Sequence, residues 1–376
     1  GVMLLKHIKN ARLCFGLALI SPAVSADLDF LNIQLLENND HIVVAAEYSY
    51  FDMSLDFLDF SSKVNSSSRP EQSSSTQVSL LVPVNDTLRV GYEYTESSAQ
   101  VSRTAEPFSL DTKGNEHQVS ASYQLGYFGH FLEYSTVLNL SASTVKQEKL
   151  EIDCYAHAGL VLGGSCESAD VRLLDGAAYI NQGETNYYPA MTVDGRAQVY
   201  RIGLEVRGHF LNDLPFYQKI DVQSSRIDLN YSSKLLDIND PFLLNTSYRG
   251  IALGDTISSL SSQLPQQTPW TERALIFEFG TKVDVTDTLS ASLALKHYRI
   301  DRVSYEYGAD EINYNHNTGL DLALWFKPNT DFMLYIKGQI SQHNLLGIDP
   351  LAYNRKTSKF FAQPYGKLSA GISYSF

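Results

Sequence analysis

Residues 274–296 read ALIFEFGTKVD-VTDT-LSASLALK, and this stretch decides the fold. From Leu275 to Val283, apolar side chains alternate with positions that include Glu278 and Lys282. The alternation resumes after the VTDT segment and continues to Lys296. Successive side chains of a β-strand point to opposite faces, so this pattern predicts two half-buried strands. The short Asp/Thr segment between them predicts a hairpin turn.

The same unit occurs four more times, and single strands at either end bring the predicted total to twelve. Alternation slips near Tyr50 and again at Ser224-Ser225, where we expect a β-bulge. Tilted β-strands of about ten residues are long enough to span a membrane. The other predicted strands are Ile42–Phe51, Gln77–Val84 with Leu88–Tyr94, His117–Tyr127 with Leu132–Ser141, Ala197–Arg207 with Tyr217–Tyr231, Leu320–Phe326 with Phe332–Ile340, and Leu368–Phe376.

The connections between strands alternate in length. Tight turns join the strands of each hairpin, and longer polar stretches join one hairpin to the next. This asymmetry is typical of outer-membrane barrels. The sequence therefore predicts an all-β fold, a twelve-stranded antiparallel transmembrane β-barrel over residues 42–376 with short periplasmic turns and long extracellular loops. The predicted long loops are Asp59–Thr76, Glu96–Glu116, Thr144–Arg196, Ser232–Arg273, Tyr305–Thr318 and His343–Gly366.

Composition excludes several other classes. The formal net charge of −13 argues against a nucleic-acid-binding protein, which needs a basic face. A hydrophobic content of 44% is too high for a disordered chain. A soluble β-sandwich has the same local alternation. Aromatic residues near strand ends, such as Tyr92, Tyr123 and Trp325, favour the membrane barrel because they suggest girdles at the lipid boundary.

Residues 1–26 have the pattern of a secretory signal peptide. Lys6, Lys9 and Arg12 precede an apolar run, and small residues lead to an expected cleavage after Ala26. We therefore expect export to the outer membrane of a Gram-negative bacterium. Residues 27–41 form a separate N-terminal segment, either periplasmic or lumenal.

Two cysteines of the exported chain, Cys154 and Cys166, lie in one polar, Gly-rich stretch. In an oxidising compartment this arrangement predicts a local disulfide. Closing a loop of this size contributes roughly 3 kcal/mol in the chain-entropy model. A metal site is the weaker alternative, because no paired histidines accompany the thiols.

The last nine residues, LSAGISYSF, alternate up to Phe376, with Tyr374 two positions earlier. This ending resembles the terminal signal of bacterial outer-membrane proteins, which the barrel assembly machinery recognises. With twelve strands, the chain resembles the translocator barrels of autotransporters. Because only about 15 residues separate the signal from the first strand, the better match is the solitary autotransporter-like barrel without a passenger. The resemblance implies a monomer whose partners are outer-membrane lipid, lipopolysaccharide and the assembly machinery.

Charged residues on the predicted inward faces are candidate lumen-lining groups. One hypothesis is a polar pore whose charges tune selectivity. The other is a paired network that closes a narrow barrel. Similar numbers of both signs argue against strong ion selectivity. The set is Glu47, Arg89, Glu93, Glu133, Arg201, Glu205, Arg207, Glu278, Lys282, Lys296, Asp321 and Lys337.

No catalytic site is predicted. His297, Asp301 and Ser304 lie close in sequence, but strand geometry places Ser304 on the opposite face from the other two. His316-Asn317 and His343-Asn344 lie near strand ends without a serine in a recognisable motif. No cofactor is predicted, and no stretch has the spacing of a calcium loop.

The leading functional hypothesis is therefore a passive pore or a translocator-like barrel. The alternative is a non-conducting surface barrel whose long loops bind a partner or support envelope integrity. A barrel hydrolase is the third and least supported possibility.

Overall fold

A computed structural model describes residues 41–52, 69–102, 109–128, 134–152, 191–210, 214–232, 269–308, 311–343, 346–353 and 364–376, with six short pieces between 155 and 252. Within these residues, twelve strands form one closed antiparallel barrel, which confirms the predicted fold class. Within these ranges no helix is long and apolar enough to cross a membrane. The strands are β1 (Val43–Asp52), β2 (Arg69–Pro83), β3 (Leu88–Ser102), β4 (Ser109–Phe128), β5 (Tyr134–Ile152), β6 (Met191–Phe210), β7 (Leu214–Ser232), β8 (Trp270–Asp284), β9 (Leu289–Val303), β10 (His316–Phe326), β11 (Phe332–Ser341) and β12 (Tyr365–Ser375).

The first and last strands close the barrel. β1 pairs with β12, with Val43 opposite Ser375. The backbone N–H of Phe376 donates to the carbonyl of Ile42 at 2.9 Å, so pairing continues to the last residue. Closure leaves no free edge strand, which a membrane-spanning sheet requires because lipid offers no hydrogen bonds.

The register sets the shape of the barrel. A line of directly opposed residues that starts at Trp270 on β8 crosses each of the other eleven strands in turn and returns to β8 at Asp284. The two ends of this line lie 14 positions apart (284 − 270), and this offset is the shear of the barrel. Twelve strands with this shear tilt by about 40° from the barrel axis.

Three periplasmic turns use the same local chemistry. Asn85 Oδ1 accepts the backbone N–H groups of Thr87 and Leu88 at 2.9 and 2.8 Å. Asn329 Oδ1 and Thr286 Oγ1 accept in the same way from the residues two and three positions later. A side-chain oxygen that mimics the backbone in this way stabilises a tight turn, as the Asn/Asp/Thr clusters predicted.

Several strands are longer than the ten residues expected. β1 has 10 residues, but β4 and β6 have 20 each. The predicted loops Asp59–Thr76 and Glu96–Glu116 therefore contain strand residues that pair in regular register. The prediction was wrong here because it ended strands where apolar alternation ended. The backbone ladder continues beyond that point, since its hydrogen bonds do not depend on side-chain polarity.

The amphipathic pattern inverts along β7. Below Ser225, apolar Ile220 and Val222 face outward at 50% and 53% exposure, while Asp221 faces inward and is 1% exposed. Above Ser225, Ile227 and Leu229 face inward and the polar residues face outward. The predicted bulge at Ser224-Ser225 is wrong, because β7 keeps continuous register with both neighbours. The change of polarity marks the upper limit of the lipid-facing belt.

Candidate functional site

The lumen contains the predicted charged side chains. Eleven members of the set are described, and all eleven lie on inward faces, buried or half-buried. Glu133 lies outside the described residues. The odd or even position of each residue along its strand was enough to predict the inward face of these eleven residues, because register and alternation are both regular in these strands.

Ion pairs connect the charges in the middle of the lumen. Lys296 Nζ lies 3.0 Å from Asp321 Oδ2 and 3.7 Å from Glu278 Oε2. Lys337 Nζ lies 2.6 Å from Glu47 Oε2. Each of these five groups is less than a tenth exposed. Charges removed from water in this way require partners of opposite sign. These ion pairs are the kind of contact that the hypothesis of a paired network inside a narrow barrel expects.

Sequence reasoning missed three buried charges of the same layer. Lys219 Nζ lies 3.1 Å from Asp221 Oδ2, and both side chains are buried. Lys367 on β12 is also buried. The expected slip at Ser224-Ser225 obscured the parity of β7. The closing strand was predicted to begin at Leu368, one residue too late to include Lys367.

An apolar layer lines the lumen near the periplasmic end, on the side formed by β10, β11, β1 and β2. It includes Trp325, which is 1% exposed, although the sequence suggested a place in the lipid-boundary girdle. That prediction was wrong because Trp325 shares the inward parity of Asp321 and Ala323, whereas the adjacent Phe326 faces outward. The layer consists of Val43, Ala45, Leu81, Ala323, Trp325, Met333 and Tyr335.

At the extracellular end, residues 346–353 fold against the inside of the barrel wall. We call them the docked segment. Leu346 and Leu351 are fully buried. Gly347 adopts φ +76°, and a Cβ there would lie 2.9 Å from Ile300 Cδ1. Both the left-handed backbone and the close approach require glycine at this position.

Asn317 on β10 fastens the start of this segment. Its Nδ2 donates to the carbonyls of Leu346 at 2.8 Å and His343 at 3.0 Å, and its Oδ1 accepts the His343 N–H at 3.0 Å. The side chain is completely buried. The His316-Asn317 and His343-Asn344 motifs, considered above for catalysis, therefore include the anchor of a loop.

The other end of the docked segment packs on aromatic and charged groups. The Arg302 guanidinium lies 3.5 Å from the ring centroid of Tyr353, and its Nε lies 3.0 Å from Glu272 Oε2. The Tyr353 hydroxyl donates to the carbonyl of Ile312 at 2.8 Å. Stacking of a guanidinium on an aromatic ring is favourable when it is desolvated.

One carboxyl of the docked segment is buried without a charged partner among the described residues. Asp349 Oδ1 accepts the Leu351 N–H at 2.9 Å, and Oδ2 has no described hydrogen-bond partner. Burial raises the pKa of Asp349 well above its ordinary value, and the nearby Glu116 and Glu272 charges raise it further. The docked segment is therefore favoured by protonation of this carboxyl.

Below the docked segment, the lumen is unevenly filled. A cavity of about 20 Å³ lies between Gly347 and the Lys296–Asp321 pair, room for about one water molecule. Inward residues of β4 and β5 such as Ser120, Ser122 and Ser141 are half-exposed. Small polar side chains therefore leave free space along one side of the lumen.

The residues considered for catalysis do not converge. His297 and Asp301 are exposed on the outer face of β9, and His297 Nδ1 lies 3.0 Å from Thr318 Oγ1. Ser304 follows the end of β9 with φ 61°. Within the described ranges, no group of three or more His, Cys, Asp or Glu residues could hold a metal ion.

The chain ends are described in part. Tyr374 and Phe376 face outward with ring centroids 4.9 Å apart, and His41 Nδ1 lies 2.7 Å from the Phe376 carbonyl oxygen. Cys154, Cys166, the signal segment 1–26 and residues 27–40 lie outside the described residues.

No protein-family model matches the chain, and no curated protein matches it in sequence. Solved structures similar to it include the translocator domain of autotransporter NalP from Neisseria meningitidis, 9% identical, with 93% of each chain covered and a TM-score of 0.49. The NanC porin is 8% identical over 89% of this chain and all of its own, with a TM-score of 0.44. The transport unit of autotransporter AIDA-I from Escherichia coli is 8% identical over 98% and 97% of the two chains, with a TM-score of 0.42. Translocator domains, which the C-terminal residues resemble, are thus among the similar structures, together with a porin.

Proposed function

We propose that this protein is an outer-membrane β-barrel whose lumen is closed in the resting state, and which acts through its extracellular surface. The docked segment carries this proposal, because it occupies the extracellular end of the lumen with fully buried side chains. The alternative stated from sequence, a non-conducting surface barrel, is therefore the one favoured.

The buried charges support the same conclusion. In an open aqueous pore, charges on the wall remain solvated and act on passing ions. Here Glu47, Lys337 and Asp321 are each less than a tenth exposed and have charged partners within 3.0 Å. The apolar periplasmic layer narrows the lumen from one side at the other end and supports the same proposal.

A gated pore is the second candidate. The half-exposed wall of β4 and β5 leaves space that could extend if the docked segment left the lumen. Asn317 bonds the Leu346 carbonyl at the start of that segment and both backbone groups of His343 just before it, so one substitution can weaken its attachment.

Single-channel conductance in a planar bilayer distinguishes the candidates. The wild-type protein, with its folded state verified by heat-modifiable migration on a gel, should give no stable steps. Steps in the wild type would contradict the closed lumen and support a passive pore. Asn317→Ala, which leaves buried carbonyls unpaired, should also remain silent if the barrel is closed at several levels. Steps in Asn317→Ala but not in the neighbouring control Thr318→Ala would support the gated pore.

A surface role has its own test. A strain that lacks the protein should be sensitive to detergent, and expression of the wild-type protein should restore its resistance. A variant with a shortened β7–β8 connection should fold and insert but fail to complement. Full complementation by this variant would remove that loop from the proposed function.

A further inference from the structure

A row of positive charges crosses the outer surface of five consecutive strands. All five side chains are exposed and outward-facing. Lys146 and Arg196 are directly opposite each other on β5 and β6. Arg226, Arg273 and Arg299 each lie two residues along their strand from the residue directly opposite the preceding cation. Diagonal neighbours of this kind are about 7–8 Å apart. The cationic row consists of Lys146, Arg196, Arg226, Arg273 and Arg299.

The row lies level with the upper edge of the lipid belt. On β7, Arg226 is the first outward residue above the point where polarity inverts, and on β9 Arg299 lies two residues above His297, the first polar outward residue there. The two-residue offset at each later step compensates for strand tilt, so the charges remain at one height around the barrel. This height is where phosphate groups of an outer-leaflet lipid would lie.

The charges of the row are available for a ligand. None of the five makes an ion pair or hydrogen bond with another described residue. The carboxylates on the same face are Glu148, Asp194, Asp228 opposite Arg196, and Asp301 opposite Arg273. Five cations against four anions leave this face with an excess of one positive charge, although the whole chain has a net charge of −13.

An apolar groove of about 610 Å³ lies directly below the row on the lipid-facing side. Ala142 and Val222 line it, and each stands four residues below a cation of its own strand, Lys146 and Arg226. Four strand residues span about 13 Å. Small side chains on β4 and β5 form its floor, and its rim includes Tyr200.

We propose that the cationic row and this groove bind a phosphorylated glycolipid of the outer leaflet, namely lipopolysaccharide. Guanidinium groups recognise phosphate with paired, charge-assisted hydrogen bonds. The groove receives an acyl chain of the same molecule. This inference requires only the outer-membrane location and is independent of whether the lumen conducts.

Binding of fluorescent lipopolysaccharide to the full-length refolded barrel in detergent, measured by anisotropy, tests the charges. Arg196→Gln/Arg226→Gln/Arg273→Gln should weaken binding by about tenfold or more, because each basic group near an anionic lipid surface contributes substantially. The charge-retaining Arg196→Lys/Arg226→Lys/Arg273→Lys variant should lose much less. Lys327→Gln, a single charge change at the periplasmic end, should match the wild type, whereas Arg226→Gln should not. Unchanged affinity in the triple Gln variant overturns the proposal.

Two further probes identify the ligand source. Dephosphorylated lipopolysaccharide should bind wild type as weakly as lipopolysaccharide binds the triple Gln variant. Ala142→Phe, which fills the groove without touching the charges, should weaken binding of the acylated lipid but not of its deacylated form. If inorganic phosphate at millimolar concentration displaces the lipid completely, and Ala142→Phe has no effect, the row is a phosphate site and the lipid assignment is wrong.

Discussion

Lys337 and Glu47 show how one buried charge in the lumen depends on its partner. The two groups lie 2.6 Å apart, and Ser49 Oγ also donates to Glu47 at 3.1 Å. Parity predicts that both face inward, because each lies on a regular strand. Their pairing is not predictable in the same way, since it depends on the register between β11, β12 and β1. Sequence alone therefore identified both members of this pair but not the contact between them.

Lys337→Met should destabilise the barrel by about 3–5 kcal/mol, because it leaves the Glu47 carboxylate buried without its nearest cation. Adding Glu47→Gln should recover a large part of the loss. Urea unfolding, followed by tryptophan fluorescence, measures both variants. Lys113→Met, at an exposed position on β4, is the control and should change stability little. Equal stability of Lys337→Met and wild type would show that the pair is solvated.

Asp349 predicts a pH-dependent attachment of the docked segment. Because burial raises the pKa of the docked Asp349 carboxyl, this carboxyl ionises at lower pH in the undocked state, near its ordinary pKa of 3.8, than in the docked state. Docking should therefore be firmest in acid and should weaken toward neutral pH. Asp349→Asn should remove this dependence and protect the segment better than wild type at neutral pH, with little difference in acid.

Hydrogen exchange of residues 346–353, corrected for intrinsic rates at pH 5 and 7.5, measures this effect. Asp287→Asn, in an exposed periplasmic turn, serves as the matched control. Greater protection of the wild-type segment at the higher pH would show that the sign is wrong.

At the scale of elements, β7 illustrates what the sequence could and could not reveal. Its lower half follows the expected rule of apolar outside and polar inside. Its upper half reverses the rule, because outside the membrane the outer face meets water and the inner face packs against loops. If β7 is treated as a single amphipathic strand, the alternation of apolar and polar residues appears to break at Ser224-Ser225. The hairpins, turns and strand number were predictable because those signals are local, whereas the docked segment depends on contacts between distant loops and strands.

The terminal residue is part of the element that closes the barrel. Deletion of Phe376 removes the hydrogen bond from its N–H to Ile42 and the contact of its ring with Tyr374. We expect the amount of heat-modifiable barrel in outer-membrane fractions to fall sharply. Phe326→Ala, which removes an exposed aromatic ring at the same end, should have a smaller effect. Wild-type amounts after the deletion would contradict an assembly role for this residue.

At the scale of the whole molecule, the barrel is divided into levels with different chemistry. An apolar layer lies at the periplasmic end of the lumen, and the docked segment with its aromatic and charged contacts lies at the extracellular end. Paired charges lie between them, and a lipid belt surrounds the middle. Composition and alternation predicted the belt and the charges. The apolar layer was not predicted, because an inward aromatic residue such as Trp325 looks the same in sequence as a girdle residue.

The pairing of β1 with β12 also governs how the chain can fold. His41 and Phe376 are 335 positions apart, yet they are in contact. Contacts of such long sequence separation form slowly, because nearly the whole chain must be ordered before they bring any gain. Until β12 has been exported, β1 carries an unpaired edge that can associate with other chains. The time that the protein spends between export and closure is therefore its period of greatest risk of aggregation.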